Sequence, residues 1–328
     1  MEQFQPNVDP DIKVVRNLDL DGIPEGTIRK YWLHLVTNGL GQPIYVPVMV
    51  AKGMDRGPVV GLTAAVHGNE INGLPVIQKL FHELDVGELK GVIIAVPVLN
   101  VPSFLLRQRH FIDGVDLNHI MPGKIDGNVS EVYAYRIFNL LIKKFDFLID
   151  LHTASFGRVN SYYIRADMED EMTSKMASLQ HAPITVHNPP SDGTLRGAAD
   201  ELGIPAITLE IGDPNQFQKG MIRSSLTGIH NTLIYLDMIW GNIEVPEDAP
   251  VLCSSSYWLY ADHGGILRVF PEVTDLISRD QPIANLQTVF GDLVKRYQAP
   301  SNGIVIGKSV NPICQTGGRI LHLGIVAD

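Results

Sequence analysis

PVVGLTAAVHGNEINGLPVIQKLFHEL, residues 58–84, carries the signal from which the fold is read. Residues 58–66 are a short run of β-branched and small apolar residues, bounded by Gly57 and Gly68, with the length and composition of a buried strand. Directly after it, Ile71, Leu74, Ile77, Leu80, Phe81 and Leu84 recur at helical spacing. Strand, turn and helix in immediate succession make the repeating unit of a sheet with helices on its faces.

The alternation continues outward from this stretch. Further strands are expected at 92–99, 145–151, 162–165, 184–187 and 206–211, and helices at 169–180, 194–202 and 221–239. Ser130, ahead of Tyr133, Ile137, Leu140 and Leu141, reads as the N-cap of another amphipathic helix. Past Trp240 the pattern changes. Residues 241–250 carry three acids and two prolines and read as a linker. Short β-type pieces follow at 257–260, 265–270, 282–286, 294–297 and 304–306, separated by Gly, Pro, Asn and Asp. The expected organisation is an α/β domain over 1–245 and a small all-β module over 250–328.

Composition limits the function classes. The 328 residues are 45% hydrophobic and 19% charged, enough to build a sizeable core and unlike a disordered or fibrous chain. The formal net charge is −10, and the segment from Val251 onward carries six acids and six bases, so the whole excess lies in residues 1–250. A surface of that sign suits neither nucleic acid nor anionic lipid, and no apolar run reaches the roughly 18 residues that span a bilayer. The start, residues 1–11, is polar and lacks the basic and apolar segments of a signal peptide. Cys253 and Cys314 alone make no disulfide framework. The expectation is a cytoplasmic protein acting on a small molecule, with homo-oligomerisation left open.

The candidate chemistry gathers at strand ends. His67 and Glu70 flank the junction between the 58–66 strand and its helix, where α/β sheets place ligands, and imidazole with carboxylate is a natural pair for Zn²⁺. His152 ends the strand FLIDLHT, and Asp150, two residues earlier on the same face, can orient an imidazole. Glu210 stands among apolar β residues in PAITLEIG, where a carboxylate is costly to bury unless it is paired with an Arg or set against a metal. Two His and one Glu leave zinc one open position, and an additional Glu supplies the base for a bound water. The remaining histidines have no partner spacing and read as packing or surface residues.

Several motifs together resemble the succinylglutamate desuccinylase/aspartoacylase family of the zinc-carboxypeptidase-like superfamily: HGNE at 67–70, DLNH at 116–119 followed by MPG, LIDLHT at 148–153, DGTLRGAADELGIPAITLEIG at 192–212 and QAPSNGIVIG at 298–307. The resemblance implies a mixed sheet flanked by helices, followed by a β domain like a barrel-sandwich hybrid. It implies one Zn²⁺ per chain on His67, Glu70 and His152, with Glu210 as general base. It also implies Arg109, rather than its neighbour Arg107, as the cation at the scissile carbonyl, and Asn118 and Arg196 as substrate contacts. One position departs from the family pattern. His119 stands where the motif usually has an Arg that grips a substrate carboxylate, and a mostly neutral imidazole makes a poorer anchor.

These readings converge on a zinc-dependent deacylase that cleaves the amide bond of a small N-acylated amino acid or related amine. A zinc carboxypeptidase acting on short peptides or polyglutamate tails is the near alternative. A binding protein on the same fold, catalytically idle, is the distant one.

Overall fold

The 58–66 run becomes the centre of the sheet because it is apolar on both faces. In the computed structural model, which describes residues 12–191 and 193–327, the first ten strands are β1 (Lys13–Val15), β2 (Thr27–Thr37), β3 (Pro43–Lys52), β4 (Asp55–Ala64), β5 (Lys90–Val96), β6 (Phe147–His152), β7 (Arg158–Asn160), β8 (Tyr162–Ala166), β9 (Ile184–His187) and β10 (Ala206–Ile211). All but β7 lie in one path, β1-β2-β3-β5-β4-β6-β10-β8-β9. The middle of that path, β5-β4-β6-β10, is parallel, and β5, β6, β10 and the second half of β4 are buried nearly throughout, as parallel strands covered on both faces must be. The polar start, residues 1–11, lies outside the described residues. Among the described residues no helix is long and apolar enough to cross a membrane.

Helices cover both faces. α1 (Gly73–Glu83), α4 (Glu171–Ser178) and α6 (Lys219–Tyr235) contribute Ile77, Leu80, Met176, Ile229 and Leu233 to one core. α3 (Val129–Leu140) and α5 (Leu195–Asp200) contribute Tyr133, Ile137, Phe138, Leu195 and Ala198 to the other, with the short α2 (Val101–Leu106) leading towards it. The expected N-cap of α3 is corrected. Asn128, not Ser130, caps the helix: its side chain accepts from the Glu131 amide while Glu131 accepts from the Asn128 amide, and the Ser130 hydroxyl donates to Asn128 Oδ1. This reciprocal pair satisfies two amides that a lone serine would leave half-served. The long antiparallel hairpin β2–β3 was not anticipated, since the reading began at residue 58.

The C-terminal strands are β11 (Val251–Tyr260), β12 (Gly265–Val269), β13 (Leu276–Ile277), β14 (Pro282–Gln287), β15 (Leu293–Gln298), β16 (Gly303–Ser309), β17 (Ile313–Cys314) and β18 (Arg319–Val326). Four of them continue the main sheet. β11 pairs in parallel with β9 and extends the main sheet through β18, β16 and β13, while β7 pairs with β16. The remaining strands make a four-stranded antiparallel sheet, β15-β14-β12-β17. Leu267, Ile283, Leu286, Ile320 and Leu323 pack in the core of this region. A small seam cluster joins Tyr163, Ile184 and Val186 to Cys253, Ile304 and Ile306.

Residues 241–250 form no helix or strand and are exposed almost throughout. Limited proteolysis is expected to cut first within 241–250, and the two fragments should stay together because two ladders and an apolar seam hold them. Two bands on a denaturing gel but one peak in size-exclusion chromatography check this; separation of the fragments would refute it.

Candidate metal centre

Three elements deliver the donor groups. The chain leaves β4 through Ala65, at a φ of 52°, and turns so that the Glu70 amide donates to the His67 carbonyl (3.0 Å). That turn brings His67 Nδ1 to 2.9 Å from Glu70 Oε1. β6 runs parallel beside β4 and ends at His152, whose Nδ1 lies 3.0 Å from Glu70 Oε2. Donor atoms of His67, Glu70 and His152 all lie within 4.8 Å of one another, and the residues are only 2%, 1% and 4% exposed.

Each imidazole has a carboxylate behind it. His67 Nε2 is 3.0 Å from Asp116 Oδ1, and His152 Nε2 is 2.7 Å from Asp150 Oδ2, which in turn accepts from the Thr63 hydroxyl at its other oxygen (2.6 Å). Both Nδ1 atoms therefore face Glu70 and both Nε2 atoms face an outer aspartate. Such backing fixes the tautomer and raises ligand basicity, so the donor set fits a divalent metal of the zinc type. Burial alone would raise the Glu70 carboxyl, yet His67 and His152 outweigh it and hold it well below the usual carboxylate range. Burial would depress His152, and Asp150 and Glu70 reverse that. Asp116 is also held low, since hydrogen bonding to His67 and the charge of Arg109 overcome its desolvation.

Arg109 ties the cluster together. Its Nε donates to Asp116 Oδ2 (2.8 Å), and one terminal nitrogen donates to Glu70 Oε1 (3.1 Å) and to the Ser155 hydroxyl oxygen (2.8 Å). Arg107 is exposed and takes no part. Glu210 lies on β10 in register with His152, with Arg165 Nε at 3.3 Å from Oε1 and Asn160 Nδ2 at 3.3 Å from Oε2. Glu210 is thus paired with an arginine, and it lines a cavity of about 180 Å³ beside Arg109 and Thr153. Trp258, Arg319 and His322 close that cavity from the C-terminal strands. A larger hollow of about 440 Å³, beside Lys13, Arg29 and Tyr31, contains none of these groups.

Three expected substrate contacts sit differently. Asn118 Oδ1 accepts from the Leu195 amide (2.7 Å), bracing the start of α5. Arg196 is buried and grips the Asn188 carbonyl and side-chain oxygen, both at 2.6 Å, and burial brings its pKa down to about 10. His119 has a side chain 67% exposed, with Nε2 3.8 Å from Asp116 Oδ2. Asp116, Ser155, Arg158, Arg165, Trp258, Arg319 and His322 were not singled out from the sequence. For Asp116 the signal was present in the DLNH motif; for the others nothing in local spacing marks them, because distant strands bring them together.

Gly68 is fixed by close approach rather than by its φ angle. A Cβ there would lie 2.1 Å from the Ser103 carbonyl carbon and 2.2 Å from the Phe104 nitrogen, both rigid backbone. Gly68→Ala should therefore destabilise by about 1–3 kcal/mol through overpacking, read as a lowered urea midpoint. An unchanged midpoint would show that the turn can shift at no cost.

Comparison with known proteins agrees with this architecture. A family model described as the succinylglutamate desuccinylase/aspartoacylase catalytic domain matches residues 56–236, more than half of the chain. The N-alpha-acetyl-L-2,4-diaminobutyric acid deacetylase of Halomonas elongata is 24% identical over 298 residues, covering 87% of each chain. A succinylglutamate desuccinylase of Pseudomonas paraeruginosa is 28% identical over 177 residues, 50% of this chain and 53% of that one. Among solved structures, the product-bound ectoine utilization protein EutE (DoeB) of Ruegeria pomeroyi superposes with a TM-score of 0.84 at 22% identity, covering 93% of this chain and 98% of its own. A succinylglutamate desuccinylase/aspartoacylase of Rhodobacter sphaeroides gives 0.86 at 20% identity over 96% of this chain and all of its own. The chain belongs to the succinylglutamate desuccinylase/aspartoacylase family.

Proposed function

We propose that this protein is a zinc-dependent deacylase that hydrolyses the amide bond of a small N-acylated amino acid or related amine. The observation that carries the reading is the buried convergence of His67, Glu70 and His152, each imidazole backed by an aspartate, beside a cavity lined by Glu210. The relatives named as a deacetylase of an N-acetylated diamino acid and as succinylglutamate desuccinylases support the same substrate class. A cavity of about 180 Å³ suits a small substrate better than a peptide, since ligand pockets commonly run to several hundred Å³. Two free, buried cysteines are compatible with a cytoplasmic setting.

In this reading His67, Glu70 and His152 hold one Zn²⁺, which when bound supplies Lewis acidity and lowers the pKa of water. Glu210 accepts the proton of the attacking water and returns it to the leaving amine nitrogen. Asn160 and Arg165 keep its carboxylate aimed into the cavity. Arg109, already clamped by Asp116, Glu70 and Ser155, sets a fixed positive charge where the carbonyl oxygen gathers negative charge, so little reorganisation is needed. Catalysis belongs to the part of the chain up to residue 245, and the strands from 250 onward close the cavity.

The purified protein is expected to bind about one Zn²⁺ per chain, and His152→Ala should lose most of it, because two remaining donors bind zinc poorly. Elemental analysis decides; full zinc in that variant would remove His152 from the ligand set. Glu210→Gln should retain zinc and lose deacylation by about 10²–10⁴-fold, measured on a panel of N-acetyl and N-succinyl amino acids. Turnover near the parent rate would move water activation elsewhere.

A further inference from the structure

Two of the four arginines lining the cavity have no acidic partner among the described residues. Arg109 is paired with Glu70 and Asp116, and Arg165 with Glu210. Arg158, half-buried on β7, and Arg319, exposed at the start of β18, are not paired. Their guanidinium carbons lie 5.8 and 5.3 Å from the centroid of the Trp258 indole. The ring of His322 stacks on the same indole at 5.0 Å and 10°. Burial, and then the charges of Arg165, Arg319 and Arg158, push the His322 pKa well below the usual imidazole value, so it adds no compensating charge of either sign. Desolvation, followed by repulsion from Arg319 and Arg109, also lowers the Arg158 pKa, a cost that a bound anion would remove.

We propose that Arg158 and Arg319, set over Trp258, form a carboxylate subsite that anchors a negatively charged substrate in the cavity beside Glu210. This rests on the deacylase reading and narrows it: the preferred substrates carry a carboxylate, and the C-terminal strands supply one of the two groups that hold it. Planar guanidinium groups suit a carboxylate, and a charge-assisted hydrogen bond gains more strength at half-buried Arg158 than at exposed Arg319. Exposed His119 offers no such fixed charge.

The test uses zinc-loaded protein and two substrate pairs: an N-acetyl amino acid against its α-carboxamide, and an N-succinyl against an N-butyryl amino acid. The pair in which removing the carboxylate lowers kcat/KM tells whether the amine or the acyl side occupies the subsite. In the pair that reports, Arg158→Gln and Arg319→Gln should each raise KM for the member bearing the extra carboxylate about ten- to a hundredfold. The same variants should leave kcat near the parent value and change the member of that pair lacking the carboxylate by less than about threefold. Arg268→Gln, on the exposed face of β12, controls for the loss of one positive charge. Equal effects on the two members within both pairs, or no effect in either, would overturn the subsite. If the parent cleaves none of the four compounds, the deacylase reading fails on its own. Calorimetry with succinate at fixed ionic strength then judges the subsite. Binding by the parent and by Arg268→Gln, weakened about tenfold or more in the other two variants, supports it. Equal binding in all four proteins, or none in the parent, refutes it.

Discussion

The structure turns on one carboxylate held between two imidazoles. Glu70 reaches both His67 and His152 from a position that is 1% exposed, and neither charge nor hydrogen-bonding capacity can be left uncompensated there. Satisfying it requires β4 and β6 to run side by side in parallel, so that the turn after one and the last residue of the other leave the sheet at the same edge. It also requires Asp116 and Asp150 behind the rings and Arg109 across the top. The buried, two-faced β5-β4-β6-β10 strands are thus as much a frame for this cluster as a hydrophobic core.

Much of that frame was legible in the sequence. The strands at 184–187 and 206–211 were read at their observed limits, because both are short, apolar and bounded by breakers. The donor triad was legible because His67 and Glu70 flank a strand-to-helix junction and His152 ends an apolar strand, places where a polar side chain needs a reason to exist. Asp150 was legible from the period of two that sets it on the same face as His152. The α3 cap was misread because Ser130 lies nearer the helical periodicity, although the spacing of Asn128 and Glu131 carried the stronger signal. Arg109 could be singled out over Arg107 only with the family in view; the structure separates them by the φ of 53° at Arg107, which ends α2 and turns that side chain outward.

The far wall of the cavity was illegible for a different reason. Arg158, Trp258, Arg319 and His322 come from β7, β11 and β18, and nothing in their own neighbourhoods separates them from ordinary strand residues. Only the joining of β9 to β11 and of β7 to β16 brings them opposite Glu210. The linker at 241–250 marks a change of local pattern, which sequence reports well, and not a break in the sheet, which it cannot report. Charge gave a partial hint: the C-terminal region is balanced while the rest is acidic, so its arginines are less often met by acids.

The β7–β16 ladder, where Asn160 lies opposite Gly307, also orders events in time. Its two strands are far apart in the chain, so closing them costs more loop entropy than any pairing among β4, β5 and β6. During synthesis the elements bearing His67, Glu70, Asp116, Asp150 and His152 emerge long before β16 and β18. A nascent chain can therefore bring His67, Glu70 and His152 together while the opposite wall is still missing, leaving those groups open to solvent. The wall opposite Glu210 is thus the last part of the cavity that synthesis supplies.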